Sequence, residues 1–135
     1  MYQLLYISNA VNLMSNDELE SLLGNARIKN HQLNITGMLV YLDGSFIQVL
    51  EGEKAVVKDS FKNISKDPRH NNIILVDENH IDKRAFQSWE MAFHKLHAND
   101  IEKFPAIKNL LNKSTQNQTT MLTDIVDSFL HLVVL

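Results

Sequence analysis

The sequence predicts an α+β domain in which one mixed sheet carries two helices on one face, with more helices at the C-terminal end. Three observations predict it. Short apolar runs separated by two stretches of helical spacing follow the order β-α-β-β-α-β-β. Asp43-Gly44 falls between two of the apolar runs, where both turn positions favour positive φ. After Leu96 the spacing of the apolar residues is helical.

Each element has its own signal. Tyr2 to Ile7 is short, rich in Leu, Ile and Tyr, and reads as a strand with Tyr2, Leu4 and Tyr6 on one face. Ser15 and Glu18 form a capping box that starts a helix. Leu19, Leu22, Leu23 and Ala26 continue it at helical spacing, with an end expected near Asn30. Ile35 to Leu42 and Ser45 to Leu50 are the arms of a hairpin around Asp43-Gly44. On the second arm Gln48 stands between Phe46 and Leu50 on one face, an unexpected place for an amide. Val56, Val57, Phe61 and Ile64 mark a second helix, stopped by Asp67-Pro68. Ile73 to Val76 is a fourth strand, and Trp89, Met91 and Phe93 alternate as a fifth. Each helix returns the chain to a strand parallel to the one before it, so the first six elements match the ferredoxin-like pattern.

The C-terminal part divides in three. Ile101 to Leu111 suggests a helix with Pro105 near its first turn. Asn112 to Thr120 is a polar connector. Met121 to Leu135 is amphipathic, with Leu122, Ile125, Val126, Phe129, Leu130 and Val133 in one stripe. Such a stripe is expected to cover the open sheet face, and a homodimer or larger assembly is expected as well. The expected organisation is a domain over 1–97 and a helical extension over 98–135.

Composition narrows the function. The 135 residues suit one domain with a core of its own. A net charge of −3 argues against nucleic acid as a partner. The absence of cysteine excludes disulfides, thiolate metal sites and a cysteine nucleophile. The N-terminus has no signal-peptide profile, and no apolar run is long enough to span a membrane, so a cytoplasmic protein is expected. The six histidines are scattered and lack carboxylate partners at metal-ligand spacing, and there is no Gly-rich phosphate loop.

The informative set is Tyr6, Asn30, Gln48, Trp89 and Met91 with the segment Asp67-Pro68-Arg69-His70-Asn71. If the first and third strands are neighbours, the side chains of Tyr6 and Gln48 meet on the helix side of the sheet, with Asn30 at the end of the first helix over the same spot. A phenol and an amide each donate and accept, so a buried Tyr-Gln pair has two bonded arrangements related by turning the amide over. The plainer reading is a satisfied core amide beside an amphipathic core tyrosine.

Residues 1–97 resemble the BLUF family, sensors of blue light using flavin. The matching pieces are Leu5-Tyr6-Ile7-Ser8, Asn30 before Asn34-Ile35-Thr36-Gly37, Phe46-Ile47-Gln48-Val49-Leu50-Glu51-Gly52, Asp67-Pro68-Arg69-His70, and Phe86-Gln87-Ser88-Trp89-Glu90-Met91. The resemblance implies a bound flavin, FAD or FMN, between the two helices. It implies that Tyr6 is the photochemical electron donor, that Gln48 rearranges, and that Asn30 hydrogen-bonds the ring. Trp89 and Met91 match a pair whose placement differs among family structures. Ile64 and Phe61 are candidates for the apolar wall, and Asp67, Lys29, Arg69 and His70 for binding the flavin or its tail. Asn63 stands where some members carry an arginine, and Pro68 replaces the usual flexible polar residue. The implied output is signalling to a separate protein, with no substrate turned over. The alternative is a ferredoxin-like protein-interaction module without photochemistry.

Overall fold

The computed structural model describes residues 1–87, 89–112 and 121–134. The elements run β1 (Tyr2–Ala10), α1 (Asn16–Leu33), β2 (Thr36–Leu42), β3 (Ser45–Gly52), α2 (Lys54–Ile64), β4 (His70–His80) and β5 (Ala92–Leu96). A 3₁₀ turn (Ala98–Lys103), α3 (Pro105–Asn112) and α4 (Met121–Val134) follow. The sheet order is β4-β1-β3-β2-β5, with β5 parallel to β2 and the other pairings antiparallel. The expected α+β, ferredoxin-like arrangement is therefore present, with β1 and β3 at its centre.

Local chemistry explains the element ends. Ser15 and Glu18 close the predicted capping box on α1. The helix runs one turn beyond its expected end, because Asn34 takes a left-handed cap with φ 55° that an asparagine tolerates. The hairpin turn carries positive φ at both Asp43 (43°) and Gly44 (92°). α2 stops at Ile64, before Pro68 is reached, and Ser65 Oγ donates to the Phe61 carbonyl at 2.8 Å. Pro105 is the first residue of α3, where its missing N–H costs no helix bond. Ile101 and Phe104, expected inside that helix, precede it.

Two strands differ from expectation. β4 extends to His70 and His80, because its polar ends pair with Ala10 and Tyr2 of β1. Backbone pairing at a sheet edge needs no apolar side chains, so alternation could not reveal those ends. β5 begins at Ala92, after Trp89 and Met91. The carbonyls of Glu90 and Met91 are drawn to α1 instead, accepting from Asn30 Nδ2 at 2.9 Å and Arg27 Nε at 3.0 Å.

The sheet separates two cores. Tyr2, Leu4, Tyr6, Leu39, Phe46 and Leu50 pack under α1 and α2 with Leu19, Leu23 and Val57. Leu5, Met38, Val40, Ile47 and Val49 point the other way, to Ile107 and Leu110 of α3 and Leu122, Ile125, Val126 and Phe129 of α4. The predicted α4 stripe thus covers its own sheet. Leu132 joins it although it was not expected there. Of the predicted connector, 113–120 lie outside the described residues, as do the Val133 side chain and Leu135.

Phe129 is fully buried in the far-side core. Phe129→Ala is expected to lower unfolding stability by about 3–5 kcal/mol in urea titration, the usual range for a truncated buried phenylalanine.

Candidate functional site

The register of β1 against β3 sets Tyr6 directly opposite Gln48. Both side chains are buried, at 3% and 5% exposure. The Tyr6 hydroxyl donates to Gln48 Oε1. Gln48 Nε2 donates in turn to the Met91 sulfur at 3.3 Å. The amide is thus held at both ends, but a thioether is a weak acceptor. One end of the chain Tyr6–Gln48–Met91 is therefore easily exchanged.

Electrostatics keep Tyr6 a neutral donor. Burial pushes its phenol above the ordinary tyrosine range, and the Asp67 carboxylate adds to the shift. The Phe61 ring lies against it with centroids 5.2 Å apart, and the His70 ring stands edge-on at 6.5 Å.

Tyr6 and Gln48 form the floor of a cleft. Leu22 of α1 and Ile64 of α2 supply opposite walls, Leu39 and Phe46 extend the floor, and Asp67, Arg69 and His70 lie at the α2–β4 side. Like a small-molecule site, the cleft has apolar sides and a few convergent polar groups. A flat aromatic ring with one hydrogen-bonding edge fits that lining, and a charged tail fits the side bearing Arg69.

Comparison with known proteins agrees. A family model described as BLUF, sensors of blue-light using FAD, matches residues 1–92. The chain belongs to the BLUF family. It is a blue-light sensor domain that binds a flavin. Among its relatives, photoactivated adenylate cyclase subunit beta of Euglena longa is 32% identical over 120 residues, 89% of this chain and 14% of that protein. The BlsA structure in its photo-activated state matches with TM-score 0.75 and 33% identity, covering 93% of this chain and 94% of BlsA. A bacterial light-regulated adenylyl cyclase matches with TM-score 0.70 and 36% identity, covering 86% of this chain and 34% of that one. The chain therefore spans about a seventh of the Euglena protein and about a third of the bacterial cyclase. No helix among the described residues is long and apolar enough to cross a membrane.

Within this BLUF domain the site residues named from sequence fall into two groups. Tyr6, Gln48, Ile64, Asp67, Arg69 and His70 line the cleft, and Met91 touches Gln48. Met91 is 2% exposed, whereas Trp89 is 39% exposed and packs on Phe86. Asn30 is buried in the last turn of α1, but its amide donates to Glu90 and it does not line the cleft. Lys29 is exposed and lies outside the cleft. It is one position from Asn30, and one residue turns a helix by about 100°.

The histidine and arginine differ from simple tail ligands. The His70 ring meets Ser8 Oγ at 2.7 Å through Nδ1 and the Ile64 carbonyl at 2.7 Å through Nε2. A carbonyl only accepts, so Nε2 carries a proton there, and both ring nitrogens are used within the protein. Arg69 is paired with Asp67, which holds that carboxyl below its usual range. The sequence did not reveal Ser8 as the histidine's partner, nor Leu22 and Leu39 as lining. Their signals were those of ordinary core and strand residues.

The raised Tyr6 pKa gives a signed prediction. Its stabilising effect is complete below the unfolded value of about 10 and is lost as pH climbs toward the folded value. The phenolate absorbance of the native protein minus that of Tyr6→Phe should show no Tyr6 ionisation at about pH 10.

Proposed function

We propose that Tyr6, Gln48 and Met91 form the light-driven switch of this domain. The hydrogen-bond chain from the Tyr6 hydroxyl through the Gln48 amide to the Met91 sulfur is the observation that carries this reading. A bound flavin supplies the absorption of blue light and, once excited, an acceptor for one electron. Tyr6 is the tyrosine that lines the cleft and is the donor we assign. Losing an electron makes its hydroxyl strongly acidic, and Gln48 Oε1 already accepts from that hydroxyl. The proton moves along the existing bond, Gln48 would relay it to the flavin that took the electron, and the neutral amide is then free to turn. After electron and proton return to Tyr6, a turned amide presents Nε2 to the phenol oxygen and Oε1 away from it. Donor and acceptor have then exchanged places at the cleft floor, and the weak bond to Met91 is lost.

Holding the flavin falls to other residues. Ile64 and Leu22 clasp a ring from two sides. Asn30 does not line the cleft, but on the family resemblance we assign the second hydrogen of its Nδ2, beyond the one given to Glu90, to the ring's polar edge. Arg69, released from Asp67, is the cation we assign to the tail, with His70 as a wall. Lys29 is left out because it is exposed away from the cleft.

We take 1–97 as the sensing unit and 98–135 as the cap through which it signals to a separate protein. The cap shares its core with the sheet that carries Gln48, which supports that route. Self-assembly is part of the proposal, supported by Ile74 and Leu75, exposed at 42% and 41% on the edge strand β4. Light scattering that finds a monomer in dark and light removes it.

Illumination of the purified protein, read by visible absorption, tests the switch. The wild type is expected to be yellow and to show a reversible shift of its visible band. Tyr6→Phe is expected to keep the flavin and lose the shift, and a normal shift in that variant removes Tyr6 as donor. Gln48→Ala is expected to lose the shift too, and its retention removes the amide switch.

A further inference from the structure

Glu51 stands three positions after Gln48 in β3, so its side chain leaves the opposite face of the sheet. It is 0% exposed. Four donors surround its two oxygens. Oε1 accepts from Thr36 Oγ1 at 2.8 Å and the Phe86 N–H at 2.7 Å. Oε2 accepts from Gln3 Nε2 at 3.1 Å and the Ala85 N–H at 3.0 Å. Charged groups are rarely buried this far without partners, and here every partner is neutral.

Two of those donors belong to the segment between β4 and β5, which ends at Met91. Arg84 fastens the same segment, donating to Thr36 Oγ1 at 2.8 Å, the Glu51 carbonyl at 3.0 Å and the Asn34 carbonyl at 2.6 Å. The Phe86 carbonyl accepts from the Trp89 N–H at 2.8 Å, and the Trp89 carbonyl from the Gly37 N–H at 3.0 Å. Gly37 has no substitute, since a Cβ there would lie 1.9 Å from the Val49 carbonyl oxygen. Beyond it, Asn30 and Arg27 hold the carbonyls of Glu90 and Met91. Hydrogen bonds thus hold this part of the chain at points from the Glu51 carboxylate on the far face to the Met91 carbonyl beside the cleft.

Building on the switch proposed above, we propose that Glu51 is a positioning residue that sets where the Met91 sulfur meets Gln48. A thioether holds an amide weakly, so the orientation of Gln48 depends on how firmly the backbone presents that sulfur. The firmness comes from the Ala85 and Phe86 N–H groups, which have their acceptor in Glu51. Light changes the Gln48 end of this set of bonds, and Glu51 fixes the other.

Glu51→Gln tests the assignment. The new amide keeps the shape, but in either orientation its NH₂ faces one of two backbone N–H groups that cannot turn away. Trp89 is the sole tryptophan of the sequence and sits on the segment in question, so its fluorescence reports the segment directly. The variant, with flavin bound, is expected to show about a twofold change in acrylamide quenching of Trp89 and about a tenfold change in the dark decay of the light-induced shift. Met91→Ala is expected to alter the decay too, and Glu51→Gln to add nothing in the Met91→Ala background. Additive effects on decay, or unchanged quenching in Glu51→Gln, overturn the proposal. If the wild type binds flavin but shows no shift, the switch itself falls, and the quenching result alone decides Glu51. If Glu51→Gln does not fold, hydrogen exchange in the wild type decides. Slow exchange at the Ala85 and Phe86 amides is expected, and exchange at the rate of exposed amides overturns the role.

Discussion

The pairing of Tyr6 with Gln48 across β1 and β3 is the constraint on which the rest of the site depends. Side chains alternate along a strand, so a slip of one residue would carry every second side chain to the other face. Tyr6 would then point at α4, and Leu5 at the cleft. The register is held because both faces of the central strands are buried. Leu4 and Leu50 need the α1–α2 core, while Leu5 and Val49 need the α3–α4 core. The Tyr6–Gln48 pair is therefore positioned by hydrophobic residues on both faces of the sheet.

Burial on both faces also decides what the pair can do. Tyr6 is buried, so its hydrogen bond has few competitors and its proton stays on the oxygen. The amide of Gln48 has one strong partner and one weak one. Such an amide has a preferred orientation but not a deep one, as a two-state element requires. The segment from Arg84 to Met91 joins the two faces, since Phe86 belongs to the far core and Met91 to the near one. It is a physical link between cleft and cap, whose far end is anchored by the buried Glu51.

Much of this was legible in the residues because the signals were local. Ser15 and Glu18 announce a helix start, Asp43-Gly44 a turn, and the α4 stripe a covered face. The departures share a cause. β4 is longer than its apolar run because edge pairing by Asp77, Glu78 and Asn79 leaves no apolar trace. β5 starts after Trp89 and Met91 although these alternate like strand residues. Their alternation follows a segment pinned by Asn30, Arg27 and Gly37, none of which is near in sequence. His70 reads as open to a ligand because Ser8 and the Ile64 carbonyl become its partners only once the chain has folded.

By itself the sequence determined the order of elements, the face on which Tyr6 and Gln48 lie, and the family resemblance that names a flavin. These follow from spacing, capping and turn chemistry, which act over a few residues. Only the tertiary structure decided that Met91 rather than Trp89 meets Gln48, that Asn30 holds Glu90, that Lys29 lies outside the cleft, and that Glu51 anchors the segment before β5. Met91, Asn30 and Glu51 are placed by which distant group captures a donor or acceptor, and Lys29 by the turn of α1. That competition is settled when the faces are buried and every polar group must find a partner.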